Sequence, residues 1–415
     1  MTTLRPYPTY VDHRSPTFDR LPQGWQAIKA RHLVRIRTGS GDTVDSDPDG
    51  KFPFYVRSEH PLRSDHWEFD TTAVLTAGDG AGVAKVFHLV HGRFMAHQRV
   101  YVLDDFRHVT PRFFYYAFSS LFHLMALDGS AKSTVDSVRR PMIADMPMPV
   151  PSLAQQHEIL LFLDRETSQI DDLIAEQQRL VELLGERRAA AVDRVVWRGL
   201  NSAPTAATGV DPAPHSPSHW RRLRNKDLFF EATELSREGH EELLTVSHLT
   251  GITPRSEKNV NMIESESLEG YRVVRPGDLV INTMWAWMGA LGVSSIAGLV
   301  SPAYGVYRPR SGAEVNSSYF DYLYRSRPYV MEMTRHSRGI WESRLRLYPE
   351  TFLRLPIVVP PLDEQRAIVD YLDAETARID ELIREAEQLV GLARERRSAL
   401  ITAAVTGKID LRRAN

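Results

Sequence analysis

VPPLDEQRAIVDYLDAETARIDELIREAEQLVGLARERRSALITAAV, residues 359–405, decides how the chain is read, because a second copy lies at 150–196. Ile170 falls on Ile379, an offset of 209 that holds without a gap across the whole span. Roughly half of the paired positions are identical. Val150-Pro151 matches Val359-Pro360, Leu-Asp-x-Glu-Thr at 163–167 matches 372–376, and Ile-Asp-x-Leu-Ile at 170–174 matches 379–383. Glu186-Arg187-Arg188 matches Glu395-Arg396-Arg397. A period this long excludes a solenoid and points to a duplicated domain plan.

Each copy reads as a long amphipathic helix. No proline interrupts 153–196, and Ile159, Leu163, Ile170, Ile174, Val181 and Leu184 keep a spacing of three or four through much of the run. Ile368, Leu372, Ile379, Ile383 and Val390 form the same stripe in the second copy. Ser152 followed by Gln155 fits a capping box at the first start, and Asp363 and Glu364 place negative charge in the first turn of the second. At about 1.5 Å per residue, about forty helical residues reach on the order of 60 Å.

Composition sets the class. With 42% apolar and 25% charged residues in 415, the chain suits two or three globular domains. The absence of cysteine excludes disulfides, thiolate metal sites and thiol nucleophiles, and favours the cytoplasm. No run of eighteen apolar residues reads as a membrane span, and residues 1–22 do not read as a signal peptide. Net charge is −2, divided as +2 over 1–150, −3 over 151–200, +1 over 201–355 and −2 over 356–415. Any nucleic-acid contact therefore has to come from local clusters and not from a whole-protein field.

Before each helix lies a mixed segment. Leu21-Pro22-x-Gly24-Trp25 opens the first, and Ser216-Pro217-Ser218-His219-Trp220 opens the second. Strand signals fill 52–56, 73–76, 83–90 and 99–103, then 271–281, 291–296 and 304–307. A helix is expected after Pro111, where Phe113, Phe114 and Tyr116 echo Tyr319, Phe320 and Tyr322. Residues 201–217, rich in Pro, Ala, Ser and Thr, read as a connector. The resulting division is 1–150, a first mixed domain; 151–200, the first arm; 201–217, a linker; 218–358, a second mixed domain; and 359–415, the second arm and tail.

No catalytic or cofactor motif assembles. Asp45-x-Asp47-x-Asp49-Gly50 opens like an EF-hand loop, but its twelfth position is Val56. Gly78-Asp79-Gly80-Ala81-Gly82 suits a tight turn and lacks the Gly-Lys-Ser/Thr ending of a phosphate loop. Asp211-Pro212-Ala213-Pro214 lacks the second proline and the aromatic of an amino-methyltransferase loop, and the histidines show no H-E-x-x-H spacing. Neither a metal nor a cofactor is expected.

Two equal helices in one chain favour antiparallel pairing, which makes the chain a one-chain imitation of a symmetric dimer. The expected fold class is α+β: two mixed α/β domains joined by two long antiparallel helices, an intramolecular coiled coil in a pseudo-twofold arrangement. Dimeric DNA readers set two modules on spaced half-sites, and a rigid helix pair suits the role of spacer.

The residues Pro360-Pro361-Leu-x-Glu364-Gln365, Leu372-Asp373, Ile379-Asp380-x-Leu382-Ile383, Glu395-Arg396-Arg397 and 404–408, Ala-Val-Thr-Gly-Lys, resemble the specificity subunit of type I restriction–modification systems. Leu21-Pro22-x-Gly24-Trp25, the glycine-rich turn at 78–82 and Pro-x-Pro-Val-Pro at 147–151 resemble that family's first half. The first arm departs at Gln155, where the second has Glu364, and at Trp197-Arg198, where the second has Thr406-Gly407. The resemblance implies two target-recognition domains, each reading one half of a split sequence in double-stranded DNA. It implies no catalysis by this chain, two methyltransferase subunits docked on it, and restriction subunits joining them. A coiled-coil adaptor that binds other proteins is the alternative.

Arginine bridges guanine edges, while Lys, Ser and Thr hold phosphates. The candidate DNA contacts are Lys132, Ser133, Thr134, Arg139 and Arg140 before the first arm, and Arg335, His336, Ser337, Arg338, Arg344 and Arg346 in a basic loop before the second. Arg93, His97, Gln98 and Arg99 join them, as do Trp285 and Trp287, which suit a core equally well.

Overall fold

The protein is described by a computed structural model covering residues 5–126, 137–257, 267–339 and 345–411. Lys132, Ser133, Thr134 and Arg344 lie outside the described residues. The two arms are single helices, Leu153–Arg198 of 46 residues and Leu362–Val405 of 44. The first begins as its capping box predicts: Gln155 N–H donates to Ser152 Oγ, and Ser152 N–H donates to Gln155 Oε1, both at 3.3 Å. Two compact units divide the chain within the arms, one comprising 1–178 and 387–415, the other 179–386.

In the first unit, Ile159, Leu160 and Leu163 of the first arm share a core with Ile401, Ala404 and Val405 of the second. Ion pairing fixes the register, with Arg397 Nε and Nη2 donating to the Asp171 carboxylate at 2.8 and 3.2 Å. The second unit repeats this arrangement. Val192, Val195 and Val196 share a core with Ile368, Val369 and Leu372, and Arg188 Nε and Nη2 donate to Asp380 at 2.8 and 3.2 Å. Asp171 and Asp380 are repeat mates, as are Arg188 and Arg397, so each unit holds the same antiparallel bond. Ile159, Leu163, Ile170, Leu184, Ile368, Leu372 and Ile379 are buried, while Ile174, Val181, Ile383 and Val390 are half-buried.

The mixed domains share a topology. Four antiparallel strands in the first unit run in the order Arg35–Thr38, Val100–Asp104, Ala73–Ala77, Phe87–Val90. Phe229–Glu231, Gly305–Pro309, Leu279–Ile281 and Leu291–Val293 repeat that order in the second unit. The strand that leads into each arm is paired with an early strand of its domain: Pro147–Val150 with Gln26–Lys29, and Pro356–Val359 with Arg221–Arg224. The first unit adds a second four-stranded sheet, in which Arg93–Ala96 runs parallel to Phe52–Tyr55.

The helix expected after Pro111 is Pro111–Leu121, capped by Thr110, and its counterpart is Ser317–Arg325, capped by Asn316. The stretch read as a connector, 201–217, is folded. Thr205–Ala207 and His215–Pro217 pair as a hairpin, Val210 and Ala213 are buried, and the Thr208 hydroxyl donates to Ala213 O at 2.6 Å. A few well-placed apolar residues and one hydroxyl order a segment whose composition suggested little to bury.

Each arm ends on a glycine in the left-handed region, Gly199 at φ +70° and Gly407 at φ +69°. A Cβ on Gly407 would lie 2.3 Å from Pro22 Cγ, so only glycine lets this turn seat on the leading hairpin of its unit. Gly199 seats on Trp220 in the second unit in the same way, at 3.2 Å.

Candidate nucleic-acid interface

Corresponding strands carry corresponding turns. In the first unit the turn after Ala73–Ala77 is the glycine-rich 78–82, and in the second the turn after Leu279–Ile281 is 282–289, which contains both tryptophans. Each turn meets the segment that precedes the domain's last short helix. Val138 N–H donates to Gly78 O at 2.8 Å, and Asp79 bridges Ser137. Leu347 N–H donates to Thr283 O at 2.9 Å, and Arg338 bridges Arg346. Two stretches far apart in sequence thus come together in both units, at topologically equal places and with unlike side chains.

In the first unit this place is basic and concave. Asp79 accepts from Arg57 Nη1 and from Arg99 Nη1, both at 2.9 Å. Gln98 is exposed and donates to Asp42 Oδ2 at 2.9 Å. His97 is 5% exposed, so it supports Arg99 from beneath: its Nδ1 accepts the Arg99 N–H at 3.0 Å, and its ring stacks near Phe54. Arg139 and Arg140 are exposed at the start of the short helix Arg140–Ala144. Arg93 stands apart from the cluster, paired with Asp70 at 3.0 Å and lying over the Trp67 ring at 4.7 Å. The acidic run at 45–49 is a self-capped turn, in which Asp45 accepts from Asp42 N–H and Asp47 from Asp49 N–H.

Burial pushes the His97 imidazole below its ordinary range, helped by the nearby Arg57 charge, and burial does the same to His88. Both rings are therefore held neutral in the folded state, and the unfolded chain takes up their protons first. Stability from these two groups is present above pH 6.5, their unshifted value, and is lost as pH falls through the folded-state values. Thermal unfolding followed from pH 7.5 downward is expected to show the first unit weakening below about pH 6.5. His97→Gln, which keeps an acceptor for Arg99, should flatten that slope; an unchanged slope in this variant would remove His97 from the explanation.

In the second unit Trp285 is exposed, whereas Trp287 is half-buried and donates from Nε1 to Met284 O at 3.1 Å. Arg335 and His336 end a helix, Arg327–His336, where the sequence suggested a loop. Pro328 starts that helix, and basic side chains in its last turn complement the helix dipole. Both are also occupied: buried Glu332 accepts from Arg335 at 3.4 Å and faces His336 Nε2 at 3.1 Å, and Arg335 pairs with Asp211 at 2.6 Å. Ser337 donates to Met333 O. Arg338 and Arg346 remain exposed beside the Trp285 turn. The sequence reading missed Arg57 and Asp79, which only the fold brings to Arg99, and Asp42, which it brings to Gln98.

The comparisons with known proteins agree with this architecture. Residues 22–183 match the model of the type I restriction modification DNA specificity domain. The chain is 27% identical over 216 residues to the type I restriction enzyme EcoDI specificity subunit of Escherichia coli, a match covering 50% of this chain and 46% of that one. It is 19% identical over 431 aligned positions, 95% of each chain, to the MjaVIII specificity subunit of Methanocaldococcus jannaschii. A chain solved in work on complex assembly and conformational transition of the type I R-M system shares the fold, with a TM-score of 0.65 at 16% identity over 94% of this chain and 99% of that one. The matched segment is thus similar to a DNA specificity domain, and the chain as a whole shares the fold of that solved chain. The chain resembles type I restriction–modification specificity subunits in the domain matched at 22–183 and in its fold along most of its length.

Proposed function

We propose that this protein is the DNA-recognition subunit of a type I restriction–modification complex, that it reads a bipartite, asymmetric target, and that it catalyses no step itself. The recognition domains occupy 1–150 and 218–358, each reading one half-site, and the arms set the spacer between them. The observation that carries this reading is the doubled turn. The same position in two equal folds bears an arginine pair around Asp79 in one unit and Trp285 with Arg338 and Arg346 in the other. Equal frames with unlike tips suit two different half-sites.

Two methyltransferase subunits would dock on the arms, joined by a restriction subunit. Support comes from leucines that stay exposed in repeat register. Leu180, Leu183 and Leu382 stand exposed in the second unit, and their mates Leu389, Leu392 and Leu173 stand exposed in the first. Two copies of one partner require two equivalent surfaces, and large apolar side chains left in water at matched positions supply them.

Methylome sequencing of a host expressing the chain with its partner subunits tests the reading. A split motif with two unlike halves is expected. Equal binding to all duplexes, together with salt-insensitive capture of protein alone, would replace it with the adaptor reading.

A further inference from the structure

We propose that Arg57 and Arg99, oriented by Asp79, form a guanine-reading pair for the half-site of the first domain. This rests on the DNA-recognition reading above and names the side chains that carry it. The Asp79 carboxylate is 15% exposed, and each of its oxygens takes one guanidinium Nη1 at 2.9 Å. Each arginine keeps its Nε–H and Nη2–H edge without a partner among the described residues. Two parallel donors on one rigid plane are the complement of guanine O6 and N7. Both side chains are accessible, at 48% and 62% exposure.

The frame behind the pair is fixed. Gly82 lies so close to the Arg57 backbone that a Cβ would come within 2.4 Å of its carbonyl oxygen, which ties the turn to the Arg57 strand end. Ser137 bridges Asp79, and buried His97 accepts the Arg99 amide. Arg57, Asp79, Gly82 and His97 border a cleft of about 370 Å³ that also takes in Thr43, Ser58 and Gly80.

The carboxylate decides between base and backbone. A phosphate seated on both arginines would face the Asp79 charge, whereas the guanine edge offers neutral acceptors. The other carboxylate-bound arginines of this unit lack a free edge of this kind. Arg35 spends Nε and Nη2 on Asp104 at 3.0 and 3.1 Å, and Arg93 donates its Nε to Asp70.

The test uses the full chain in complex with its methyltransferase subunits. Competition binding is measured on duplexes in which every position of the target is varied in turn, at several salt concentrations. Arg99→Lys keeps the charge and removes the two-donor edge, as does Arg57→Lys. Each is expected to lose on the order of ten- to a hundred-fold of discrimination at a G·C pair in one half-site, with the other half-site and nonspecific binding unchanged. Asp79→Asn, which removes the charge and one of the two acceptors that orient the arginines, is expected to loosen discrimination at the same pairs, and Arg93→Ala to leave it intact. Unaltered base preference in both lysine variants would overturn the proposal, as would a half-site for this domain without a G·C pair. So would uniform weakening across all sequences in Arg57→Ala and Arg99→Ala with a reduced salt slope, the mark of phosphate contacts. Failure of the unsubstituted complex to prefer any sequence would instead remove the DNA-recognition reading itself.

Discussion

Replacing Gln156 with leucine is expected to destabilise the first unit by about 3 kcal/mol, the cost of leaving buried polar groups unpaired. Gln156 is fully buried in the first turn of its arm. Its Oε1 accepts the Thr110 amide at 2.8 Å, and its Nε2 donates to His108 O at 2.9 Å and to Pro151 O at 3.0 Å. Thr110 is the N-cap of Pro111–Leu121, so one side chain joins the arm, the strand before it and the domain's main helix. Its repeat mate does the same in the second unit. Gln365 accepts from Asn316 N–H at 2.8 Å and donates to Glu314 O and Pro360 O at 3.0 Å, and Asn316 caps Ser317–Arg325. Gln156→Leu should therefore accelerate hydrogen exchange in Pro111–Leu121 and leave Ser317–Arg325 protected, and Gln365→Leu should do the reverse. Gln156→Glu keeps the acceptor but turns a carboxylate toward two carbonyls, which raises its pKa. Its stability is then retained below the unfolded carboxylate value and lost as pH rises through the folded one. Unchanged exchange in both leucine variants would show that the glutamines are passengers.

These glutamines also show what the sequence made legible and what it left hidden. The offset of 209 announced two equal helices, and the three-four stripe picked out the faces that pack, because apolar periodicity is a one-dimensional record of burial. Polar identities in the same alignment carried as much information. Gln156 with Gln365, Thr167 with Thr376, and Asp171 with Asp380 are identical in a repeat that has diverged at roughly half its positions. In the structure they are a buried pin, a hydroxyl bonded to the carbonyl four residues back, and a register-setting ion pair. A stripe drawn through apolar positions alone passes over them. The interface was less legible for a different reason. Arg57, Asp79 and Arg99 belong to three separate strand ends, and only the pairing of Val100–Asp104 with Ala73–Ala77 brings two of them together. Arg335 and His336 illustrate the opposite error: a basic cluster suggested a loop, although Glu332 one turn earlier already engaged both.

Lengthening both arms is expected to alter the spacer of the DNA target and leave the bases read unchanged. An α-helix rises about 1.5 Å per residue, so seven added residues extend it by about 10 Å, close to three base pairs at about 3.4 Å each. Seven residues also make nearly two full turns, which returns the apolar stripe almost to its original face. Both arms must be extended, because each unit fixes their antiparallel register through its own copy of one ion pair, Arg397 with Asp171 and Arg188 with Asp380. The insertion belongs near Leu180 and Leu389, between those two bonds, where no domain strand attaches. Four residues add about 6 Å and turn the stripe by about 40°, so a spacer longer by one or two base pairs should come with weaker binding. Extending one arm alone puts one register bond in conflict with the other, and stability should fall before specificity changes. Methylome sequencing reads the spacer and the half-sites in the same experiment. Altered half-site bases at constant spacer length would mean that the arms do not act as the ruler. An unchanged motif after a matched seven-residue extension would place the control of spacing in the partner subunits.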